Sequence, residues 1–288
     1  MLEQNIANET EDLEIKIFLQ AVKLCHGYDY QDYSYTSLKR RLRLLKNSCS
    51  ANTISELIPN VIHEEGFINK VVNGLSVTVT EMFRDPEFFQ DLRTHVLPTL
   101  KSYPRLNIWV AGCATGEEVF SLAILLHEEG LLKRSTIYAT DINTKNLDIA
   151  KSGIFPLDHV PAYTKNYQTM GGKSSFSDYY HARYSRAKLS QFILDHIVFN
   201  EHNLAADNVF GEMQLVLCRN VLIYFNQTLQ NRAINLFYQS LVRSGFLCLG
   251  TKESLRAFDQ KEKLETVSKE NKIYHKLLST AHTTRLVK

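Results

Sequence analysis

No stretch of this 288-residue chain approaches the ~18 consecutive apolar residues that a membrane span requires. The first residues, MLEQNIANETEDLEIK, are acidic and polar, where an export signal needs a positive start and an apolar core. Both absences point to an unexported, cytoplasmic protein with no direct membrane insertion. Paired cysteines are missing too. Cys25, Cys49, Cys113, Cys218 and Cys248 are scattered, odd in number and without CxxC spacing, so neither a disulfide framework nor a metal site is expected. Charge of one sign is equally scarce. A formal net charge of +2 gives no reason to expect nucleic acid or membrane, and any charged partner must be recognised by a local patch. No internal repeat or low-complexity tract stands out, a monomer is expected, and the last ten or so residues read as a frayed tail.

What is present, 44% apolar and 22% charged residues, suits one large domain plus a smaller one. From about Glu11 to about Asn73 apolar residues recur at helical spacing without strand-like alternation, which predicts a helical N-terminal domain over residues 1–77. Within it Ser37 is a candidate cap for a helix with Leu38, Leu42 and Leu45 on one face and Lys39, Arg40, Arg43 and Lys46 mostly on the other. That basic face is either an ordinary solvated surface or a ridge that docks on an acidic helical partner. Beyond about Arg105, short β-type runs alternate with helical stretches, the pattern of an α/β sheet with crossover helices. The expected strands are LNIWVA (106–111), TIYAT (136–140), HIVF (196–199), MQLVLC (213–218), FLCLG (246–250) and KIYHKL (272–277). A polar, Tyr- and Ser-rich stretch between Tyr163 and Phe192 breaks the rhythm and reads as an inserted subdomain of about 160–195 within a domain spanning 78–288.

The segment IWVAGCATGEEVFSLAILLHEE is a strand, a small-residue loop and a helix, which brings main-chain N–H groups up to a nucleotide-like ligand. Gly112, Ala114 and Gly116 allow the close approach, although a structural turn would use the same residues. Glu117 and Glu118 stand where a pyrophosphate would sit. They repel a dianion and suit a cationic ligand, which disfavours NAD or ATP and favours the sulfonium of S-adenosylmethionine; alone, they would also complement the helix dipole. Asp141 closes the next strand, where an acid accepts ribose hydroxyls or caps a helix. LVLCRNVLIYF delivers Arg219 and Asn220 to the same sheet edge with Tyr224 just beyond, and Asn203 follows the HIVF strand. Four strand ends therefore converge on one crevice.

TVTEMFRDPEFF, GCATGEEVFSLAILL, ATDIN with LDIAKSGIFPL, and LCRNVLIYFN with GFLCLGTKESL together resemble the CheR family of chemotaxis protein methyltransferases over roughly Leu38 to Leu255. The resemblance implies a class I (Rossmann-like) S-adenosylmethionine methyltransferase sheet with an all-helical N-terminal domain and a small inserted subdomain. It implies that Thr80, Arg84, Glu118, Asp141, Asn203, Leu204, Asn220 and Val221 line the cofactor site, joined by Thr78 of the same first motif and by Gly112 and Glu117 of the loop. Tyr224 would face the reacting methyl group, and Arg84 and Tyr224 are the expected catalytic pair. The substrate would be glutamate side chains on the cytoplasmic helices of methyl-accepting chemoreceptors, with Lys39, Arg40, Arg43 and Lys46 docking them. Three departures stand out: Met82 replaces an aromatic, Thr78 stands where a relative carries Asn, and the insertion with MGGKSSFSDYY would replace a β-subdomain that holds a receptor's C-terminal peptide in some members. The alternatives are a methyltransferase acting on another protein or a small molecule, and a catalytically silent S-adenosylmethionine sensor.

Overall fold

Helical spacing of apolar residues in the first quarter of the chain builds a small unit with its own interior. The computed structural model describes residues 2–277, with side chains from residue 8, so the expected frayed tail lies outside the described residues. Helices α1 (Leu2–His26), α2 (Tyr35–Ser48), α3 (Ile58–His63) and α4 (Phe67–Leu75) enclose a cluster that includes Ile15, Phe18, Val22, Leu42 and Val71. Leu38, Leu42 and Leu45 are the buried face of α2, as their spacing requires. The cap differs from expectation: α2 begins at Tyr35 after Ser34, whose side chain makes no capping bond. The reason is tertiary. The Ser34 N–H donates to the Tyr224 carbonyl at 2.7 Å, and this bond from outside the helix sets where it starts.

The second unit opens with α5 (Pro86–Asp91) and α6 (Leu97–Leu100), joined by a π-helical turn at Leu92–Val96. The chain then runs through β1 (Leu106–Ala111), α7 (Glu117–Glu128), β2 (Ser135–Asp141), α8 (Thr144–Ser152), β3 (Ile154–Pro156), α9 (Val160–Thr169), β4 (Tyr180–Arg183), β5 (Arg186–Leu189) and α10 (Gln191–Leu194). It closes with β6 (Ile197–Glu201), β7 (Met213–Cys218), α11 (Gln227–Ser240), β8 (Leu241–Leu249), β9 (Leu264–Ser268) and β10 (Ile273–Lys276). Seven strands form one sheet in the order β6-β2-β1-β7-β8-β10-β9, parallel except that β10 runs against both β8 and β9. Side chains alternate across β1: Ile108 and Val110 enter the core under α7, whereas Trp109 and Ala111 enter the core under α11. Chain order reverses between β1 and β7, and at such a switch point the carboxyl ends of strands open a crevice. The helical unit's core ends at Leu75 and the sheet unit's begins at Met82, so we propose the division between the units at the segment joining them.

The strands β1 and β7 match expectation to the residue, but β8 starts five residues earlier than FLCLG, running on directly from α11. The inserted stretch corrects one expectation. Rather than replacing a β-subdomain, it supplies two strands of one: β4 and β5 join β3, which precedes the expected start of the insertion, in a separate antiparallel sheet. YHAR and RAKL are too short and too charged on their outer face to show an apolar alternation. Among the described residues no helix is long and apolar enough to cross a membrane.

Candidate active site

Between the helical unit and the carboxyl edge of the large sheet lies a cavity of about 330 Å³. One wall is the loop after β1. Gly112 sits at φ +72°, and a Cβ there would come within 2.4 Å of the Val221 side chain, so only glycine lets this loop pack on the turn after β7. The N–H groups of Gly112 and Cys113 both donate to the Thr140 carbonyl, at 2.7 and 2.9 Å, tying the loop to β2. Asp141 ends β2 beside it. Its Oδ2 accepts from the Ala114 N–H and its Oδ1 from the Asn143 N–H, each at 2.9 Å. Each oxygen retains acceptor capacity toward the cavity, which suits a pair of hydroxyls. Burial raises the Asp141 pKa above the usual aspartate value, with these N–H bonds working against the shift.

The opposite wall is the turn after β7. Arg219 is wholly buried, with Nη1 on Glu118 at 2.9 Å, Nη2 on Asp85 at 2.5 Å, and its guanidinium 3.9 Å from the Phe88 ring centre. Glu118, at the start of α7, is thus already matched; burial nevertheless raises its pKa, against the pull of Arg219. Asn220 follows at φ +61°, a left-handed conformation that asparagine tolerates better than most residues. Glu253 holds this turn in place, its two carboxylate oxygens accepting from the N–H groups of Asn220, Val221, Ile223 and Gly250. Arg84 reaches the cavity from a loop in which Phe83 and Asp85 have φ of +53° and +55°. The Phe83 N–H donates to Ser121 Oγ at 2.8 Å and its ring packs among Phe89, Tyr167 and Phe176, which hold the strained loop in place.

The cavity therefore gathers Thr80, Arg84, Gly112, Glu118, Asp141, Asn203, Leu204, Asn220, Val221 and Tyr224. Two residues assigned to the cofactor stand apart. Thr78 is exposed on the linking segment, and Glu117 is buried on the other side of the loop, where its Oε2 accepts from Thr115 Oγ1 at 2.7 Å. The ridge on α2 is also altered: Lys39 pairs with Glu11 and Asp12, Arg43 pairs with Glu11, and Lys46 donates to the Asn52 carbonyl. Only Arg40 of the four makes no ion pair or hydrogen bond among the described residues.

The third wall was not anticipated. The linker between α1 and α2 crosses the cavity, with Tyr30, Tyr33 and Ser34 facing it, and α2 adds Ser37 and Arg41. This strap is clasped to the sheet unit: besides the Ser34 bond, the Asn226 N–H donates to the Asp32 carbonyl at 2.8 Å, and Tyr33 meets Phe225 edge-on at 5.0 Å. One signal for it lay in the helix pattern. Ser37 and Arg41 are four apart and so share one side of α2 beside the leucine face, a pattern that an ordinary solvated surface shows as well.

Seven strands in this order, a glycine-bearing loop after the first and a buried acid after the second define a class I S-adenosylmethionine-dependent methyltransferase. The family profile described as CheR methyltransferase, SAM binding domain, matches residues 78–273, and the chain belongs to that family. S-adenosylmethionine is its cofactor. A Pseudomonas putida protein carrying the methyltransferase name Cher3 is 44% identical over 92% of this chain and 97% of its own length. Chemotaxis protein methyltransferase 2 of Pseudomonas aeruginosa is 30% identical over 76% of this chain and 77% of its own. Chemotaxis protein methyltransferase 1 of Vibrio cholerae is 28% identical over 87% of this chain and 92% of its own.

Proposed function

We propose that the protein acts in chemotaxis-type signalling and methylates glutamate side-chain carboxylates on chemoreceptor cytoplasmic helices, forming methyl esters. The observation that carries this reading is the commitment of the acids in the cavity. Glu118 is paired with Arg219, and Asp141 is the acid placed for the ribose hydroxyls, so neither acid lining the cavity is left over as a base for an amine or hydroxyl nucleophile. A glutamate carboxylate, with a reference pKa of ~4.3, is ionised at neutral pH and needs no general base.

Asp141 would hold the ribose hydroxyls, Asn203 with Leu204 and Asn220 with Val221 the remainder of the nucleoside and amino acid, and Arg84 a carboxylate. When bound, the cofactor would supply a methyl group activated by its sulfonium, open to in-line attack by a carboxylate oxygen, with the S–C bond breaking as the C–O bond forms and its electron pair leaving on sulfur as the neutral thioether of S-adenosylhomocysteine. No proton moves. What the chain contributes is alignment, potentially ~7–11 kcal/mol, and exclusion of water, because opposite charges are neutralised on the way to the transition state. Tyr224, in the 3₁₀ turn after β7, orients the reacting groups.

The test is transfer of labelled methyl groups from S-adenosylmethionine to receptor cytoplasmic fragments. Base-labile label on the fragments supports a carboxyl methyl ester; cofactor binding with no label on any fragment rejects the receptor substrate. Tyr224→Phe should lower kcat by ~10-fold or more and leave S-adenosylhomocysteine affinity nearly unchanged. Unchanged turnover would remove Tyr224 from the mechanism.

A further inference from the structure

The three arginines that line the cavity differ in what neutralises them. Arg219 is matched by two carboxylates. Arg84 forms no ion pair among the described residues, and its charge acts on Glu118, so it belongs to the wall made by α7 and the turn after β7. Arg41 comes from the helical unit. Its Nη1 donates to the carbonyls of Ser76, at 2.5 Å, and Gly74, at 3.3 Å, while its Nε–H is buried without a partner. Among the described residues no carboxylate pairs with it, and Tyr224 lines the same cavity.

A guanidinium carries five N–H donors in a planar fork, and two carbonyls on one corner leave most of that fork unused. The cation is held half-buried with no anion to balance it, an arrangement that costs free energy until an anion arrives. Burial lowers its pKa accordingly. Methyl transfer to an acid brings two carboxylates here, one on the amino-acid part of the cofactor and one on the substrate. Two arginines without a carboxylate partner among the described residues stand ready for them on different walls.

We propose that Arg41 binds the reacting carboxylate of the substrate and holds it beside Tyr224, leaving Arg84 to the carboxylate of the cofactor. This rests on the glutamyl reading above and deepens it. The fork fixes the plane of a carboxylate, whereas a glutamine amide presents one acceptor and an N–H₂ that meets another donor. The same contact therefore selects glutamate over glutamine. Helix α2 then contributes to recognition from inside the cavity, not only from its outer face.

Two variants separate this role from a structural one. Arg41→Gln keeps a donor for the Ser76 carbonyl but loses charge and fork, and Arg41→Lys keeps the charge. S-adenosylhomocysteine affinity should stay within about twofold of the parent in both, while KM for a receptor fragment rises ~10-fold or more in Arg41→Gln and is partly restored in Arg41→Lys. Independently of turnover, N-acetylglutamate methylamide should bind the S-adenosylhomocysteine-loaded parent saturably in an NMR titration, bind Arg41→Gln far more weakly, and be replaced by no binding when the probe is N-acetylglutamine methylamide. A parental KM in Arg41→Gln, or a fall in cofactor affinity that matches the loss of activity, overturns the assignment. If the parent labels no receptor fragment, the receptor reading fails by itself, and the titration still decides Arg41: binding that depends on it supports the carboxylate site, and binding indifferent to it refutes the proposal.

Discussion

Asp141 shows how a single side chain links burial to ligand affinity. Its carboxylate is buried, its pKa is raised, and it accepts two main-chain N–H groups. A native pKa above the unfolded value means that the folded chain binds this proton more tightly than the unfolded one. The contribution to stability is full at acid pH and is lost as pH rises through the native pKa. The ionised form needed for ribose hydroxyls is thus held against its solvation preference, and hydroxyl donors repay part of that cost. S-adenosylhomocysteine affinity should fall on acidification, with the fall beginning above 3.8, the value of an unperturbed aspartate. Asp141→Ala should weaken binding by on the order of 100-fold through loss of two charge-assisted hydrogen bonds. Calorimetric titration across pH checks both; a flat profile down to the ordinary aspartate range would show that Asp141 does not hold the ligand as a carboxylate.

At the level of the element, α2 carries two different faces. Two of its outer cations are spent within the chain, Arg43 on Glu11 and Lys39 on Glu11 and Asp12; Lys46 is held by the Asn52 carbonyl, and Arg40 is left with neither ion pair nor hydrogen bond among the described residues. Arg40→Glu should therefore raise KM for a receptor fragment more than Arg43→Gln does, with the gap closing as salt approaches about 1 M and cofactor affinity unchanged. Equal effects of both variants would return the whole ridge to docking. The same helix shows what could be read beforehand. Leu38, Leu42 and Leu45 announce the buried face through periodicity, and β1 and β7 announce themselves through runs that are apolar on both sides of a parallel sheet. Glu253 did not. A carboxylate that satisfies four main-chain N–H groups looks, in TKESL, like any surface acid. Nor did Tyr30 and Tyr33, because nothing local in HGYDYQDYS says which distant turn a linker will meet. The strained pair Phe83 and Asp85 is similarly invisible, since its conformation is imposed by packing against Phe89, Tyr167 and Phe176 rather than by the residues themselves.

Taken whole, the molecule shares one cavity between its helical unit and its sheet unit. A ligand at 100 times its Kd stabilises the state that binds it by ~2.7 kcal/mol, and here that state includes the strap. S-adenosylhomocysteine should accordingly slow hydrogen exchange at the amides of Ser34 and Asn226, which bridge the units, as well as in the loop after β1. Protection confined to the sheet unit would mean that the clasp does not sense the ligand.

The clasp of Asp32 and Ser34 on Tyr224 and Asn226 also bears on how such a chain can be recombined. A sheet unit excised after Leu75 would keep Asp141, Glu118 and Arg84 yet lose the wall supplied by Tyr30, Tyr33 and Arg41. Exchanging the leading helices for an unrelated module would leave the reaction trough open along one side, so recombination that keeps activity has to move the two units together.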